Sequence, residues 1–140
     1  MAEDFFVSTD KSKLDIELIH DFLSNRSYWA QGRSIEDIRK SIINSFCFGL
    51  YSKNDKQIGF ARVITDFTVF AWLLDVFILE EFRGNGLGKY FMTCIFDYEE
   101  LRDIKRWRLS TRDAHDLYKK FGFGIVEKPE MFMERSLKQL

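Results

Sequence analysis

The sequence predicts one domain of mixed α/β (α+β) class, in which helices and a sheet form a sandwich. Its 140 residues fall within the usual length of one domain and can bury one core, so we expect a single domain over residues 1–140. Hydrophobic residues make up 46% of the chain and charged residues 31%, which is typical of a globular protein, and 15 Phe predict an aromatic-rich core. Strand-like and helix-like patterns are mixed along the chain without repeats, as this class requires.

The chain begins with a predicted strand and two predicted helices. Phe5–Ser8 is a short apolar run that suits a strand, and apolar residues then recur at helical spacing over residues 13–24. Ser34 stands before a second pattern of helical spacing and is followed by two acidic residues. We therefore expect Ser34 to cap a second helix, whose first turn the acidic residues stabilise through the helix dipole.

Three strands are predicted next. Apolar runs at 47–51 and 58–64 flank an Asn54–Asp55 turn, which predicts a hairpin. Residues 72–79 are almost continuously apolar, as in a strand covered on both faces, so we expect this strand in the middle of the sheet. Asp75 is the one charged residue inside that run.

The last part of the chain continues with helices and strands. Apolar side chains repeat every 3.6 residues over 87–101, the longest predicted helix. Residues 107–111 suit a strand, and residues 114–121 suit a helix that Gly122 ends. Two closing strands are expected at residues 123–126 and 131–134.

Composition excludes several classes of protein. The 21 Lys and Arg against 22 Asp and Glu give a net charge of −1, without the basic excess of nucleic-acid binders. No apolar run approaches the roughly 20 residues of a membrane span, and the acidic start Met1–Asp4 lacks the basic region of a signal peptide. We therefore expect a cytoplasmic protein with neither nucleic-acid nor membrane partners.

The cysteines and histidines predict no metal centre. Cys47 and Cys94 are distant in sequence and have apolar neighbours, which favours two reduced core thiols over a disulfide or a nucleophile. His20 and His115 are the only histidines, and two His with two distant Cys do not form a metal-ligand pattern.

A glycine-rich turn, Arg83–Lys89 with the sequence RGNGLGK, joins the buried strand to the long helix. Such a turn aims several backbone N–H groups and the helix dipole at one point, and glycine lets the backbone approach a phosphate or pyrophosphate closely. The spacing differs from G-x-G-x-x-G of dinucleotide-binding proteins, and Tyr90 stands where a P-loop needs Ser or Thr. The alternative is a helix start whose glycines serve only the turn.

This turn resembles the R/Q-x-x-G-x-G/A pyrophosphate loop of the Gcn5-related N-acetyltransferases, the GNAT family. Residues 109–123 are similar to a second family motif, a strand followed by a helix with A-x-x-L-Y-x-x-x-G-F. The resemblance covers the whole chain in element order and implies a central, mostly antiparallel sheet with splayed strands, flanked by helices. One departure is Glu80, where many members carry Pro.

The family resemblance implies acetyl transfer from acetyl-CoA to an amine. The backbone amides of residues 84–89 would hold the pyrophosphate, and the splayed strand at 76–78 would pair with the pantetheine arm. An N–H near Ile78 would polarise the thioester carbonyl. The implied acetyl-CoA-binding residues are Val76, Phe77, Ile78, Arg83, Gly84, Asn85, Gly86, Leu87, Gly88, Lys89 and Thr111.

Two residues are candidates for catalysis. Tyr118 stands where the family places a tyrosine that donates a proton to the CoA thiolate, although it also fits the apolar stripe of its helix. Asp75 is the best candidate for the base that deprotonates the amine, because a charge in a buried strand is costly unless it is paired or used. The alternative for Asp75 is an ion pair with an arginine such as Arg62 or Arg108. Weaker candidates for the base are Asp66, Glu80 and His115, and a proton path through water without a dedicated base is a further alternative.

The acceptor is expected at the loop between the first two helices. Tyr28, Trp29 and Arg33 would give a small-molecule pocket apolar walls and one charge, and Arg33 could pair with a carboxylate. Alternatively the two aromatic residues pack on the core and Arg33 is solvated. Asp66 could form the opposite wall, and together with Asp75 it would instead suit a polyamine.

The leading hypothesis is an N-acetyltransferase that acts on a small-molecule primary amine by direct attack in a ternary complex, since no activated Cys or Ser lies near the motifs. The alternatives are a lysine or N-terminal protein acetyltransferase and a non-catalytic acyl-CoA sensor, which would not need Tyr118. Glycine spacing excludes a nucleotide-dependent oxidoreductase or kinase. Homodimers are common in the family, so a homodimer is one expected assembly.

Overall fold

The structure is a computed structural model that describes residues 4–137. The chain divides into two compact units, the first ending at Ser110 and the second beginning at Thr111, and each is described by itself. The first unit holds a five-stranded sheet and three α-helices, which confirms the predicted mixed α/β class.

The sheet has the order β1-β2-β3-β4-β5. The first four strands are antiparallel to their neighbours and β5 is parallel to β4, so the sheet is mostly antiparallel. The predicted hairpin forms between β2 and β3. The strands are β1 (Phe5–Ser8), β2 (Phe46–Ser52), β3 (Gln57–Thr65), β4 (Phe70–Ile78) and β5 (Arg106–Arg108).

The helices of the first unit are α1 (Ile16–Asp21), α2 (Ile35–Ile43) and α3 (Leu87–Phe96). Ser34 caps α2 as predicted, because its hydroxyl oxygen accepts the N–H of Asp37 at 3.1 Å. The predicted helix over 13–24 is instead divided. Asp15 accepts the N–H of Leu18 and starts a new helix there, and a π-helical turn, Phe22–Arg26, follows α1 directly.

The core lies between the sheet and these helices and is aromatic, as the composition predicts. Phe22, at the end of α1, stacks on Phe77 of β4 with the ring centroids 4.1 Å apart. Phe48 of β2 is fully buried and meets the ring of Tyr98, which follows α3, edge to face. Buried residues of α2 and α3 complete the core: Ile38, Ile42, Leu87, Phe91, Met92 and Ile95.

Strand β4 contains a β-bulge at its centre. Arg62 of β3 pairs with Leu74 and Phe60 pairs with Phe77, so Asp75 and Val76 together oppose one β3 residue. Asp75 has a φ of 54°, in the left-handed region that Asp tolerates better than most residues do.

The bulge lies where β4 loses one of its neighbours. Strand β5 pairs with β4 only at Phe70–Trp72, and in the described part of the chain no strand pairs with residues 73–78 on that side. This agrees with the splayed strands of the implied fold. The prediction that this strand lies in the middle of the sheet is wrong, because β4 is the fourth of five strands and only residues 70–72 have a neighbour on the β5 side. Alternate side chains along β4 are only half-buried, so one face is also less covered than expected.

The second unit contains α4 (His115–Lys119) and a 3₁₀ turn, Pro129–Met131. Gly122 follows α4 with a φ of 90°, as expected of a helix-ending glycine. The predicted strands at 123–126 and 131–134 are wrong. Their apolar pattern suits a strand, but among residues 4–137 no strand lies beside them to pair with their backbone, and Ile125 is 77% exposed. Within residues 4–137 no helix is both long and apolar enough to cross a membrane.

Candidate active site

The glycine loop, residues 84–89, leads from the end of β4 into α3. Gly84 and Gly86 have φ angles of 83° and 76°, a region in which glycine is not strained. A Cβ on either residue would meet no atom within 4 Å, so the backbone conformation requires glycine here and side-chain space does not. Gly86 is the N-cap residue of α3, and no side chain caps that helix.

The loop presents a row of unused amide donors. The first hydrogen bond of α3 runs from the N–H of Tyr90 to the oxygen of Gly86, at 3.1 Å. In the part of the chain that the structure describes, no hydrogen bond takes up the six N–H groups of residues 84–89. These donors lie at the positive end of a ten-residue helix that has no acidic residue in its first turn. The arrangement is an anion site of the kind that holds phosphate groups.

Arg83 ties the start of this loop to the end of β4. Its Nε donates to the backbone oxygen of Ile78 at 2.8 Å, and its guanidinium lies 5.9 Å from the centroid of the Phe22 ring. Lys89 is exposed at the other end of the loop. Both cations therefore flank the amide row, and their role in acetyl-CoA binding stays a prediction.

Residues 76–78 form the end of β4 that has a strand partner on one edge only, since Phe77 and Ile78 pair with β3. The N–H of Leu79, the next residue, donates to the backbone oxygen of Ile58 at 2.8 Å and so keeps this end attached to β3. Phe77 is buried against Phe22, which fixes the strand from the core side. The opposite edge has no strand partner among the described residues, and an extended molecule with amide groups could pair there as an added strand does.

The carboxylate of Asp75 is buried and lies at the centre of a hydrogen-bonded cluster. The other members of this cluster are Trp29, Arg33 and Arg62. Its Oδ1 accepts the indole N–H of Trp29 at 2.9 Å. Its Oδ2 accepts Nη1 of Arg33 at 2.7 Å and Nε of Arg62 at 2.6 Å. The Asp75 side chain is 3% exposed, against 25% for Arg33 and 13% for Arg62.

The electrostatics of this cluster favour the ionised carboxylate. Burial alone would raise the pKa of Asp75, but the nearby charges and hydrogen bonds of Arg62 and Arg33 outweigh it and hold that pKa below its ordinary value. The ion pair with Arg62 that the sequence left open is present. The catalytic role of Asp75 stays a prediction, although a carboxylate with both oxygens engaged and a lowered pKa is a weak base.

The loop between α1 and α2 supplies Trp29 and Arg33 to the cluster. Ser27 fixes the loop, because its hydroxyl donates to the oxygen of Leu23 and accepts the N–H of Ala30. Tyr28 and Trp29 meet edge to face at 4.9 Å and are 40% and 39% exposed, so neither is packed into the core. Arg33 is paired, not solvated as in the alternative expectation.

Arg62 is the cluster member that sequence reasoning missed as a site residue. Its Nη1 donates to the hydroxyl of Ser45 at 3.1 Å, which fixes the guanidinium beside Asp75. A signal was available, since Arg62 is the one charge in the otherwise apolar run 58–64. The strand register that brings Arg62 opposite Leu74, one residue before Asp75, could not be read from the sequence.

Asp66 is engaged in the β3–β4 turn. Its Oδ1 accepts the backbone N–H groups of Thr68, Val69 and Phe70 at 2.8–3.1 Å. The hydrogen bond from Thr68 is the largest cause of its lowered pKa. Asp66 therefore stabilises a turn, and the predicted substrate contact stays a prediction.

Two predicted site residues lie in the second unit. Tyr118 on α4 is buried, and its ring meets that of Phe123 edge to face at 5.8 Å. The hydroxyl oxygen of Thr111 accepts the N–H of Ala114, the residue before α4, at 3.0 Å. The roles of both residues stay predictions.

The two cysteines are free. Burial raises the pKa of Cys47 to about 11 and also raises the pKa of Cys94, so both are protonated thiols at neutral pH. In residues 4–137 no group of three or more His, Cys, Asp and Glu side chains could hold a metal ion.

Comparison with known proteins links the chain to one family. Residues 44–125 match the family profile described as an acetyltransferase (GNAT) domain. A Gibberella zeae protein, whose name assigns it provisionally to the acetyltransferases, is 30% identical, and the match covers 84% of this chain and 77% of that protein.

Solved structures agree with this comparison. A Xanthomonas campestris protein, provisionally described as an acetyltransferase of the GNAT family, is 41% identical with a TM-score of 0.90, and the match covers 95% of this chain and 93% of that one. A Clostridium acetobutylicum structure, described as a predicted acetyltransferase with acetyl-CoA, shares the fold at 15% identity. Its TM-score is 0.68, and the match covers 97% of each chain.

Proposed function

The chain belongs to the GNAT acetyltransferases, and from this premise we propose that it transfers the acetyl group of acetyl-CoA to a primary amine of a small molecule. One observation carries the proposal. Six unused amide donors in residues 84–89 follow closely on a strand end, 76–78, that has no partner on one edge in the described structure. Acetyl-CoA has a diphosphate and an extended arm that contains amide groups. It therefore needs an anion site for the diphosphate and, next to it, a free strand edge for the arm.

Acetyl-CoA supplies an activated acetyl group. The amides of residues 84–89 would hold its diphosphate, and Arg83 and Lys89 add positive charge on either side. The open edge at Val76–Ile78 would align the arm through backbone hydrogen bonds. The restraints on Phe77 and Leu79 keep this edge in place, so little ordering is required on binding.

We assign the attack to the amine itself, without an acetylated enzyme. The raised pKa values of Cys47 and Cys94 keep both thiols protonated, which disfavours them as nucleophiles. By family resemblance Tyr118 would donate the proton that the departing thiolate requires.

The proton of the attacking amine leaves to water in this proposal. Asp75 accepts three donors and its pKa is lowered, so we assign it a positioning role: it orients Trp29 and Arg33 toward the acceptor. The half-exposed Tyr28 and Trp29 beside this cluster support a small acceptor with an apolar part.

A screen of primary amines with acetyl-CoA, read by release of free thiol, tests the proposal. The proposal expects amine-dependent thiol release, with the acetylated amine identified by mass spectrometry. Acetyl-CoA binding measured by calorimetry without thiol release from any small amine, lysine peptide or N-terminal peptide would favour the non-catalytic sensor. Release only with peptides would favour a protein acetyltransferase.

A further inference from the structure

We infer that the acceptor carries an acidic group in addition to its amine, and that Arg33 and Arg62 form the subsite for that group. The inference rests on the proposed function and names its substrate class. The shared chemistry is an anion, either a carboxylate or a phosphate, which planar guanidinium groups bind well.

The first argument is the charge of the cluster. Two guanidinium groups face one carboxylate, that of Asp75, and all three side chains are at least three-quarters buried. Among residues 4–137, neither Arg33 nor Arg62 forms an ion pair with a second acidic side chain. The cluster therefore carries one uncompensated positive charge on side chains that are only partly hydrated, and an anionic ligand is favoured there.

The second argument is the number of donors that remain. Each guanidinium has five N–H groups, and Arg33 uses only Nη1 while Arg62 uses Nε and Nη1. Among the described residues, the Tyr51 hydroxyl is the one fully buried polar side-chain atom that lacks a hydrogen-bond partner, so no guanidinium nitrogen belongs to that group. The unused guanidinium nitrogens are therefore not fully buried, which leaves them available to a ligand that enters the cluster.

The third argument is position. Asp75 holds both arginines at the β4 bulge, and Val76, the next residue, begins the open strand edge proposed to align the thioester. An acceptor anchored by its acidic group at Arg33 would therefore have its amine on the side of the cluster that leads to that edge. Trp29, which is half-exposed and bonded to the same carboxylate, offers a face for the carbon chain between the two groups.

The two carboxylates considered for a polyamine are already hydrogen-bonded within the protein. A polyamine would need free carboxylates, but Asp75 already accepts three donors. Oδ1 of Asp66, the other candidate, accepts three backbone N–H groups of its own turn. The sequence left the two classes open, and the partners of these two carboxylates favour the acidic acceptor.

The test begins with binding, which requires no knowledge of the true acceptor. Sodium acetate and sodium phosphate are titrated into the full chain at constant ionic strength, with tryptophan fluorescence and calorimetry as readouts. Each titration is run with and without saturating CoA, because free anions can also bind the amide row of residues 84–89, and only binding that CoA does not displace is assigned to Arg33. Arg33→Gln should weaken binding of the preferred anion by about ten-fold or more, because charge-assisted hydrogen bonds are lost. Arg39→Gln removes an exposed charge from the same segment and should leave binding unchanged. Arg33→Lys keeps the charge without the planar fork and should be intermediate.

Comparison of acetate with phosphate binding shows whether the subsite prefers a carboxylate or a phosphate. Pairs of acceptor amines with and without that acidic group then test the preference in turnover. Phenylalanine is compared with phenylalaninamide, phosphoethanolamine with ethanolamine, and spermidine represents polyamines. The acidic member of the matching pair should have the higher kcat/KM, and Arg33→Gln should raise its KM more than it lowers kcat.

Equal anion binding by the wild type and Arg33→Gln would overturn the inference, and so would a preference for spermidine. If amine-dependent thiol release from acetyl-CoA persists in either case, the proposed acetyl transfer stands. Anion binding at Arg33 without any binding of acetyl-CoA would instead contradict the proposed function.

Discussion

The substitution Asp75→Asn would remove the charge that holds the cluster together and leave its shape almost unchanged. Asn is nearly isosteric with Asp and tolerates the φ of 54° at this position equally well, so the backbone of the bulge should be kept. Arg33 and Arg62 would then face each other without a carboxylate. The effect therefore isolates the charge.

The size of the effect follows from burial. Removing one partner of a buried ion pair costs about 3–5 kcal/mol, because the remaining charge is left uncompensated. The Asp75 side chain is 3% exposed, but Arg33 is 25% exposed and can be hydrated in part, so we expect the low end of that range, about 3 kcal/mol. For a chain of this length the loss corresponds to a fall in Tm of roughly 10 °C.

Urea and thermal unfolding at pH 7, followed by circular dichroism, measure this loss. Asp103→Asn is the matched control, since Asp103 is exposed and should change the free energy of unfolding by less than about 0.5 kcal/mol. Because the pKa of Asp75 is lowered by folding, its contribution is complete above the ordinary Asp pKa and is lost as the pH falls below it. The difference between wild type and variant should therefore shrink below about pH 4.

An Asp75→Asn variant as stable as the wild type at pH 7 would refute the reasoning. If such a variant also lost turnover while it kept its affinity for acetyl-CoA and for the acceptor, Asp75 would be the general base after all.

Three further predictions concern the donor site, the proton donor and the thiols. Gly86→Glu should abolish acetyl-CoA binding in calorimetry, because it adds a negative charge beside the amide row; Gly86→Ala, which carries similar strain at a φ of 76° without the charge, should keep much of the affinity. Unchanged affinity of the Glu variant would remove residues 84–89 from the site. Tyr118→Phe should lower turnover far more than acetyl-CoA affinity, and equal turnover would exclude Tyr118 as the proton donor. Cys47 in the native chain should resist iodoacetamide at pH 8, because burial raises its pKa to about 11 and only the thiolate reacts; rapid modification without unfolding would contradict that pKa.

Signals that act within a few residues were readable from the sequence. Ser34 caps α2 as expected because an N-cap involves only a side chain and an N–H three residues on. The existence of β4 followed from its apolar run, although its place next to the edge of the sheet did not. The two family motifs led to the GNAT fold that the comparisons support. The glycines of residues 84–89 were also informative, since a turn that aims amides at an anion requires them at Gly84 and Gly86.

Features that depend on tertiary contacts were not readable. Asp75 was singled out as a buried charge, but its donors Trp29 and Arg33 are 46 and 42 residues away, and no local pattern joins them. The bulge that turns Asp75 toward them has no glycine to mark it. The prediction of the two closing strands was wrong because an apolar, strand-like pattern forms a strand only where a partner strand is present, and the sequence does not show whether one is.

Backbone amide resonances measured during an acetyl-CoA titration test the central claim most directly. The account predicts that the largest shifts in an ¹⁵N-labelled chain fall on residues 84–89 and 76–78, and that Gly86→Glu abolishes them. Saturable shifts confined to other residues, with these two segments unmoved, would contradict it.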